Sequence, residues 1–246
     1  MRGGGGLRIE RQPAFVLHSR PYRESSLLLE LLTREHGRVA AVARSARASR
    51  KGLGSVLQPF QSLLVSWSGR GELKTLTAAE RWQPLPPVSG ERLFSALYLN
   101  ELLLRALAPQ DPHPPLYDAY ALLLPGLAEA PDIEPLLRGF ELGLLRELGY
   151  ALELRFEADT GEVLEPQGSY VFDPSDGFLR LPGAERPERA YPGWALMAIA
   201  GADYGDPLTR ALAKRLLREA LAPVLGERPL RSREYFRRPR AAIMGP

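Results

Sequence analysis

Across one proline cluster the hydrophobic period of this chain changes from two to nearly four. Before Trp82 apolar and polar residues tend to alternate: Val39, Ala41 and Ala43 stand against Arg38, Ala40, Val42 and Arg44, the pattern of a half-buried strand. From Glu91 the apolar residues Leu93, Phe94, Leu97, Leu99, Leu102, Leu103 and Leu107 crowd nearly every side of a helix. Pro84-Leu85-Pro86-Pro87 between them can neither continue a strand nor enter a helix interior, because proline lacks the amide donor and fixes φ. A β-domain therefore precedes a helical one.

Five strands fit before the boundary: Gln12 to Arg20, Ser25 to Thr33, Arg38 to Arg44, Val56 to Trp67 and Glu72 to Trp82. Arg20-Pro21-Tyr22-Arg23 makes the first reversal, and Arg34-Glu35-His36-Gly37 and Ser68-Gly69-Arg70-Gly71 carry glycine where a hairpin needs positive φ. Five short strands with one long connection predict a small closed barrel of the OB-fold type, whose members bind single strands through a basic groove and exposed aromatics. The long connection is basic: Arg44, Arg47, Arg50 and Lys51 stand among small residues with no acid between them. Such a segment has no apolar face to bury and is expected to stay mobile and exposed, suited to a phosphate backbone. Together with Arg38, Arg70 and Lys74 these four make the candidate nucleic-acid-binding set. Tyr22, Phe60, Trp67 and Trp82 can each be a base platform or part of the core.

Charge follows the same division. Residues 1–82 carry +8, residues 83–225 carry −9 and residues 226–246 carry +4, within a net +3. A basic front and tail around an acidic middle imply that a polyanion meets the front and something else the middle.

Beyond the boundary, residues 83–150 read as the first part of a helical domain. It holds Glu91 to Leu107, Pro114 to Ala130 with Pro125 near its end, and Ile133 to Leu148 with Asp132 as N-cap and Gly149 as stop. Asn100 and Glu101 are buried-polar candidates, with a hydrogen bond to a neighbouring helix as the structural reading. Residues 151–189 lose helical period. Thr160-Gly161 and Asp173-Pro174-Ser175-Asp176-Gly177 mark hairpin turns in a small β insertion. Residues 190–226 return to helix, with Asp206-Pro207 opening the last one and Gly226 closing it. Residues 227–246 form a basic tail in which Leu230, Tyr235 and Phe236 offer docking groups.

The chain has no Cys, and His18, His36 and His113 are dispersed, so neither disulfides nor a thiolate metal site is available. P-loop, dinucleotide-binding, HExxH and GxSxG patterns are absent, which points to binding and not catalysis. The amino-terminal stretch has no apolar core of signal-peptide length and no run approaches membrane-span length, so a cytoplasmic protein is expected.

Six stretches together resemble the RecO family of bacterial recombination mediators and DNA repair proteins. They are AFVLHSRPYRESSLLLELLT (14–33), GRVAAVARSAR (37–47), LQPFQSLLVSWSGRGELKTLTAAE (57–80), LYLNELLLRAL (97–107), LLRGFELGLLRELGY (136–150) and RPLRSREYFR (228–237). The resemblance implies an N-terminal OB-fold, a helical domain and a basic tail. It implies a non-enzymatic protein, nucleoid-associated during repair, that binds single- and double-stranded DNA, anneals complementary strands and acts with RecR. It further implies recognition of the acidic tail of single-strand-binding protein and loading of the RecA recombinase. Many members carry four cysteines for zinc in the region matching Glu157 to Leu181. This chain has none, so zinc is not expected and the insertion must be held by its own packing. Within LLRGFELGLL, Leu142 and Leu145 follow Arg138 at i+4 and i+7 on one helix face. Arg138 can pair with Glu134 or Glu141, or fork onto a partner's carboxylate; the resemblance favours the second, with the two leucines receiving an apolar side chain. The alternative function is a protein-interaction adaptor whose barrel touches nucleic acid only incidentally.

Overall fold

The first strand, β1 (Arg8–Tyr22), is 15 residues long and serves two neighbours. In the computed structural model, which describes residues 7–48, 53–182, 189–226 and 228–234, its second half runs antiparallel to β2 (Ser26–Thr33). Its first half runs antiparallel to β4 (Leu63–Ser68). Register shifts between Ile9 and Gln12 and between Val16 and His18 interrupt its two ladders, and bulges of this kind bend a strand. β3 (Gly37–Ala43) pairs antiparallel with β2 and parallel with β5 (Leu73–Arg81), so the order β1-β2-β3-β5-β4 closes into the expected OB-like barrel. Ala14, Val16, Leu29, Leu31, Val39, Ala41, Leu63, Val65, Trp67 and Leu76 fill its interior. Each large side chain buried there contributes about 1.5–3 kcal/mol.

One strand is shorter than the alternation predicts. Of Val56 to Trp67, the ladder takes up only β4; Leu53–Ser55 forms a 3-10 turn, and Leu57, 1 % exposed, packs into the barrel core. Pro59 has no amide to donate and Phe60 sits at φ 65, which together delay the strand.

The chain divides into two compact units: Met1–Glu129 with the segment from Arg228 onward, and Ala130–Glu227. The division falls between helices, not at the change of hydrophobic period. In the first unit, α1 (Glu91–Ala106) and α2 (Pro114–Glu129) lie on the outside of the barrel. Phe15 points outward from β1 and packs against Tyr117 and Tyr120, at ring-centroid distances of 5.4 and 5.1 Å. Asn100, 2 % exposed, donates to the Leu17 carbonyl at 2.9 Å and accepts from the Tyr120 hydroxyl at 2.5 Å. Its role is the helix-to-helix hydrogen bond expected of it, extended to the barrel. Gly37, at φ 62, is required twice over: the β2–β3 turn needs positive φ, and a Cβ there would lie 2.0 Å from the Asp111 carbonyl oxygen.

Glu101 holds the returning C-terminal segment. Its carboxylate accepts from the Arg231 and Ser232 amides, each at 2.8 Å, and from the Ser232 hydroxyl at 2.6 Å, while Leu230 is buried nearby in sequence. Burial alone would raise the Glu101 pKa; the Ser232 and Arg231 hydrogen bonds, with Arg105, outweigh it and hold the carboxyl below its ordinary value. Tyr235 and Phe236 lie outside the described residues.

The second unit contains α3 (Glu134–Glu147), a three-stranded sheet, α4 (Gly193–Ala200) and α5 (Pro207–Leu225). The sheet has the order β7 (Gly177–Arg180), β6 (Ser169–Asp173), β8 (Tyr191–Pro192). Asp132 accepts from the Glu134 amide at the start of α3, and Asp206 accepts from the Thr209 amide at the start of α5. Tyr170, Phe178, Tyr191, Leu196, Ile199 and Leu216 form a shared core between sheet and helices.

Candidate nucleic-acid interface

Strand direction decides which cations meet. β1, β3 and β5 run one way and β2 and β4 the other, so the β1–β2 turn and the segment leaving β3 lie at the same end of the barrel. Arg44 and Arg47 are exposed on that segment. The Arg47 amide donates to the Ser25 carbonyl at 2.8 Å and its guanidinium to the Glu24 carbonyl at 3.5 Å, tying loop to turn. Arg20 and Arg23, both exposed, join them. The Arg23 guanidinium lies over the Tyr22 ring, 5.2 Å from its centroid. Sequence reasoning missed these two arginines, because Arg20-Pro21-Tyr22-Arg23 reads as a reversal and only the register places it beside the basic loop. Arg70 is exposed on the β4–β5 turn, at the opposite end. Arg50 and Lys51 lie outside the described residues.

The basic connection does bury an apolar group, against expectation. Ala46 is 2 % exposed in the barrel core, and Gly54 packs so closely that a Cβ there would lie 2.3 Å from the Ala46 carbonyl oxygen. Small residues can enter a tight mouth that larger apolar groups could not.

Two candidates on the strands are not available as drawn from the sequence. Arg38 donates to the Leu107 carbonyl at 3.1 Å and pairs with Glu30 at 2.9 Å, while its own carbonyl accepts from the Gln110 amide. Lys74, 5 % exposed, donates to the Gln110 side chain at 2.9 Å. Arg38 points outward, whereas Lys74 pairs with the core residue Ala41 and shares its inward side; the chain between α1 and α2 engages both. Phe15, Leu17 and Leu32, at 1, 3 and 1 % exposure, are closed off on the outer surface of β1 and β2 as well. OB barrels commonly receive oligonucleotides on the strand 2–3 face; here Leu32 and Val42 on that face are buried and Arg38 is engaged, while Leu28, Glu30 and Ala40 stay partly exposed. Arg34 adds a further clasp, donating twice to Asp118 on α2 at 2.9 and 3.0 Å, and those bonds hold the Asp118 carboxyl below its usual value.

Among the candidate aromatics, Trp67 belongs to the barrel core at 2 % exposure, edge-on to His36. Trp82 is 44 % exposed where β5 ends, Phe60 is half-buried, and Tyr22 is half-buried among the arginines of the barrel end.

In the second unit Arg138 corrects the sequence reading. It is 5 % exposed, donates to Glu141 at 2.6 Å and lies 3.3 Å from Glu134, so its fork is engaged within its own helix. Leu145 is fully buried and Leu142 packs against the unit's core. The face carrying this arginine and the leucines is the buried side of α3; helical spacing places residues on one face without saying whether that face meets solvent.

The insertion is held by side-chain packing and a polar knot. Glu157, 3 % exposed, accepts from the Thr160 hydroxyl at 3.0 Å, the Tyr170 hydroxyl at 3.3 Å and Arg180 at 3.3 Å, and Arg180 also pairs with Glu165. Among the described residues no group of three or more His, Asp or Glu could hold a metal ion, and with no thiolate in the chain the donors do not fit zinc. Nor is any described helix long and apolar enough to cross a membrane.

A closed five-stranded barrel with arginines gathered at its loops, followed by helices, is an architecture of the OB-like class, to which many nucleic-acid-binding proteins belong. The family models narrow it: residues 7–85 match "Recombination protein O N terminal" and residues 88–234 match "Recombination protein O C terminal". The chain is 46% identical to the DNA repair protein RecO of Nitrosococcus oceani over 92% of both chains. It is 47% identical to that of Stutzerimonas stutzeri, again over 92% of both. With that of Haemophilus influenzae it shares 42% identity over 94% of this chain and 97% of the relative. The chain belongs to the RecO family of DNA repair and recombination proteins.

Proposed function

We propose that this chain binds single- and double-stranded DNA and anneals complementary strands, with no metal cofactor and no nucleotide hydrolysis. It acts with RecR, recognises the acidic tail of single-strand-binding protein and helps load the RecA recombinase onto DNA that this protein coats. Its place is the bacterial cytoplasm, at the nucleoid during repair. The observation that carries the reading is the gathering of Arg20, Arg23, Arg44 and Arg47 at one end of the barrel. Two strands approaching each other repel through their phosphates; cations that neutralise both lower that barrier and release counterions, so base pairing can proceed. The reaction needs no bond made or broken by the protein. The Arg138 guanidinium is buried against Glu141 and Glu134, which argues against it as the receiver of the partner tail. Strand annealing by the purified chain, on bare strands and on strands coated with single-strand-binding protein, tests the reading. Acceleration in both is expected; acceleration in neither overturns it and leaves the adaptor reading.

A further inference from the structure

We propose that Tyr22, with Arg23 over its ring, is a base-stacking platform that makes the barrel end discriminate single strands from duplex. The inference rests on the reading that the barrel end binds DNA, and adds the feature of DNA that it recognises. Two large aromatics of the barrel are withdrawn from a ligand: Phe15 lies under Tyr117 and Tyr120, and Trp67 is inside the barrel. A single strand held here must find its aromatic elsewhere, and Tyr22 is the aromatic set among the exposed arginines of the barrel end.

Its position is fixed by the backbone on both sides. Tyr22 is the last residue of β1 and pairs with Ser26 across the turn. Arg23 follows at φ 53, a conformation that non-glycine residues seldom adopt, and from it the guanidinium reaches over the phenol ring at 5.2 Å. In the facing loop Ser45 is held at φ 54, and Arg47 bonds to the carbonyls of Glu24 and Ser25. Two loops tied to each other set Tyr22 beside Arg23 and Arg47, with Arg20 and Arg44 exposed at the same end of the barrel.

That arrangement suits unpaired bases. A guanidinium is planar and weakly hydrated, so it stacks on a ring while its edge donors remain able to meet phosphate. A base extends such a stack, with little dependence on sequence because every base has a π-face. In a duplex those faces are buried between neighbours and only phosphates are offered. The cations therefore serve both forms, and the platform serves one.

The test compares binding of the full chain to labelled oligo-dT and to a duplex of equal phosphate number, at one salt concentration, by fluorescence anisotropy. Tyr22→Leu keeps bulk and removes the π-face; Tyr22→Phe keeps the π-face and removes the hydroxyl. Tyr22→Leu is expected to lose about ten-fold in affinity for oligo-dT, with duplex affinity unchanged, and Tyr22→Phe is expected to match the wild type on both. Thermal unfolding midpoints show that each variant is folded. Equal losses on both probes, no loss on oligo-dT, or a Tyr22→Phe variant as weak as Tyr22→Leu overturns the platform while leaving the DNA-binding reading in place. Failure of the wild type to bind either probe overturns that reading and the platform with it.

Discussion

Arg38 and Lys74 sit on strands of the barrel, Arg44 and Arg47 on its loop, and all four carry the same charge in the same domain. The first two are engaged by Leu107, Glu30 and Gln110; the second two face solvent at the barrel end. The difference lies in what passes over them. Arg38 on β3 and Lys74 on β5 both meet the segment joining α1 to α2, and a cation there becomes a buckle. Arg44 and Arg47, on the loop, are exposed. Arg38 and Lys74 are tied into the fold, while Arg44 and Arg47 are left exposed for the proposed ligand.

The widest separation should come from the loop. Replacing Arg44, Arg47, Arg50 and Lys51 together by alanine is expected to flatten the slope of log K against log salt by roughly 3 to 4 units, at ~0.9 per lost duplex phosphate contact. Denaturant midpoints should barely move. An unchanged salt slope would break the contrast.

Arg38→Ala should behave in the opposite manner. It leaves the Leu107 carbonyl and the half-buried Glu30 carboxylate without their partner, at a cost of about 2 kcal/mol in stability by chemical denaturation. The folded fraction should keep the wild-type salt slope, and a lowered slope would place Arg38 on the DNA side after all.

The smallest effect concerns Glu101, a carboxylate that also serves the fold. Its folded pKa is depressed below the ordinary 4.5, so the clasp contributes stability above that value and loses it as pH falls through the folded pKa. Amide exchange at Arg231 and Ser232 should be slowed at neutral pH and lose that protection under acid. Glu101→Gln should lose part of it already at neutral pH; full protection in that variant would mean that Leu230 alone holds the segment.

Much of the barrel was legible because its information is local. Alternation marked four of the strands to within a few residues and placed the start of β4 seven residues early, glycine marked two hairpins, and Gly149, Asp206 and Gly226 bounded helices where expected, with Ile133 and not Asp132 as the N-cap of α3. What escaped depends on contacts distant in sequence. Arg138 and Glu141 form a buried pair three residues apart, yet the same spacing describes an exposed one; only the packing of α3 tells them apart. Arg20 and Arg23 gained meaning when the register set Leu27 opposite Ala43, bringing the β1–β2 turn beside the basic loop. Arg38 lost its place in the binding set for a residue, Leu107, that lies 69 positions away.

The Glu101 clasp also carries a consequence for synthesis. Its partner Ser232 is 131 residues further along, and the whole of Ala130–Glu227 is made in between. A nascent chain that has emerged as far as Glu129 can have its barrel, α1 and α2, but Glu101 still faces water. The ribosome must deliver the second unit before the first can close, and the entropy of bringing such distant segments together is met only at that late step. The unit made first is the one completed last.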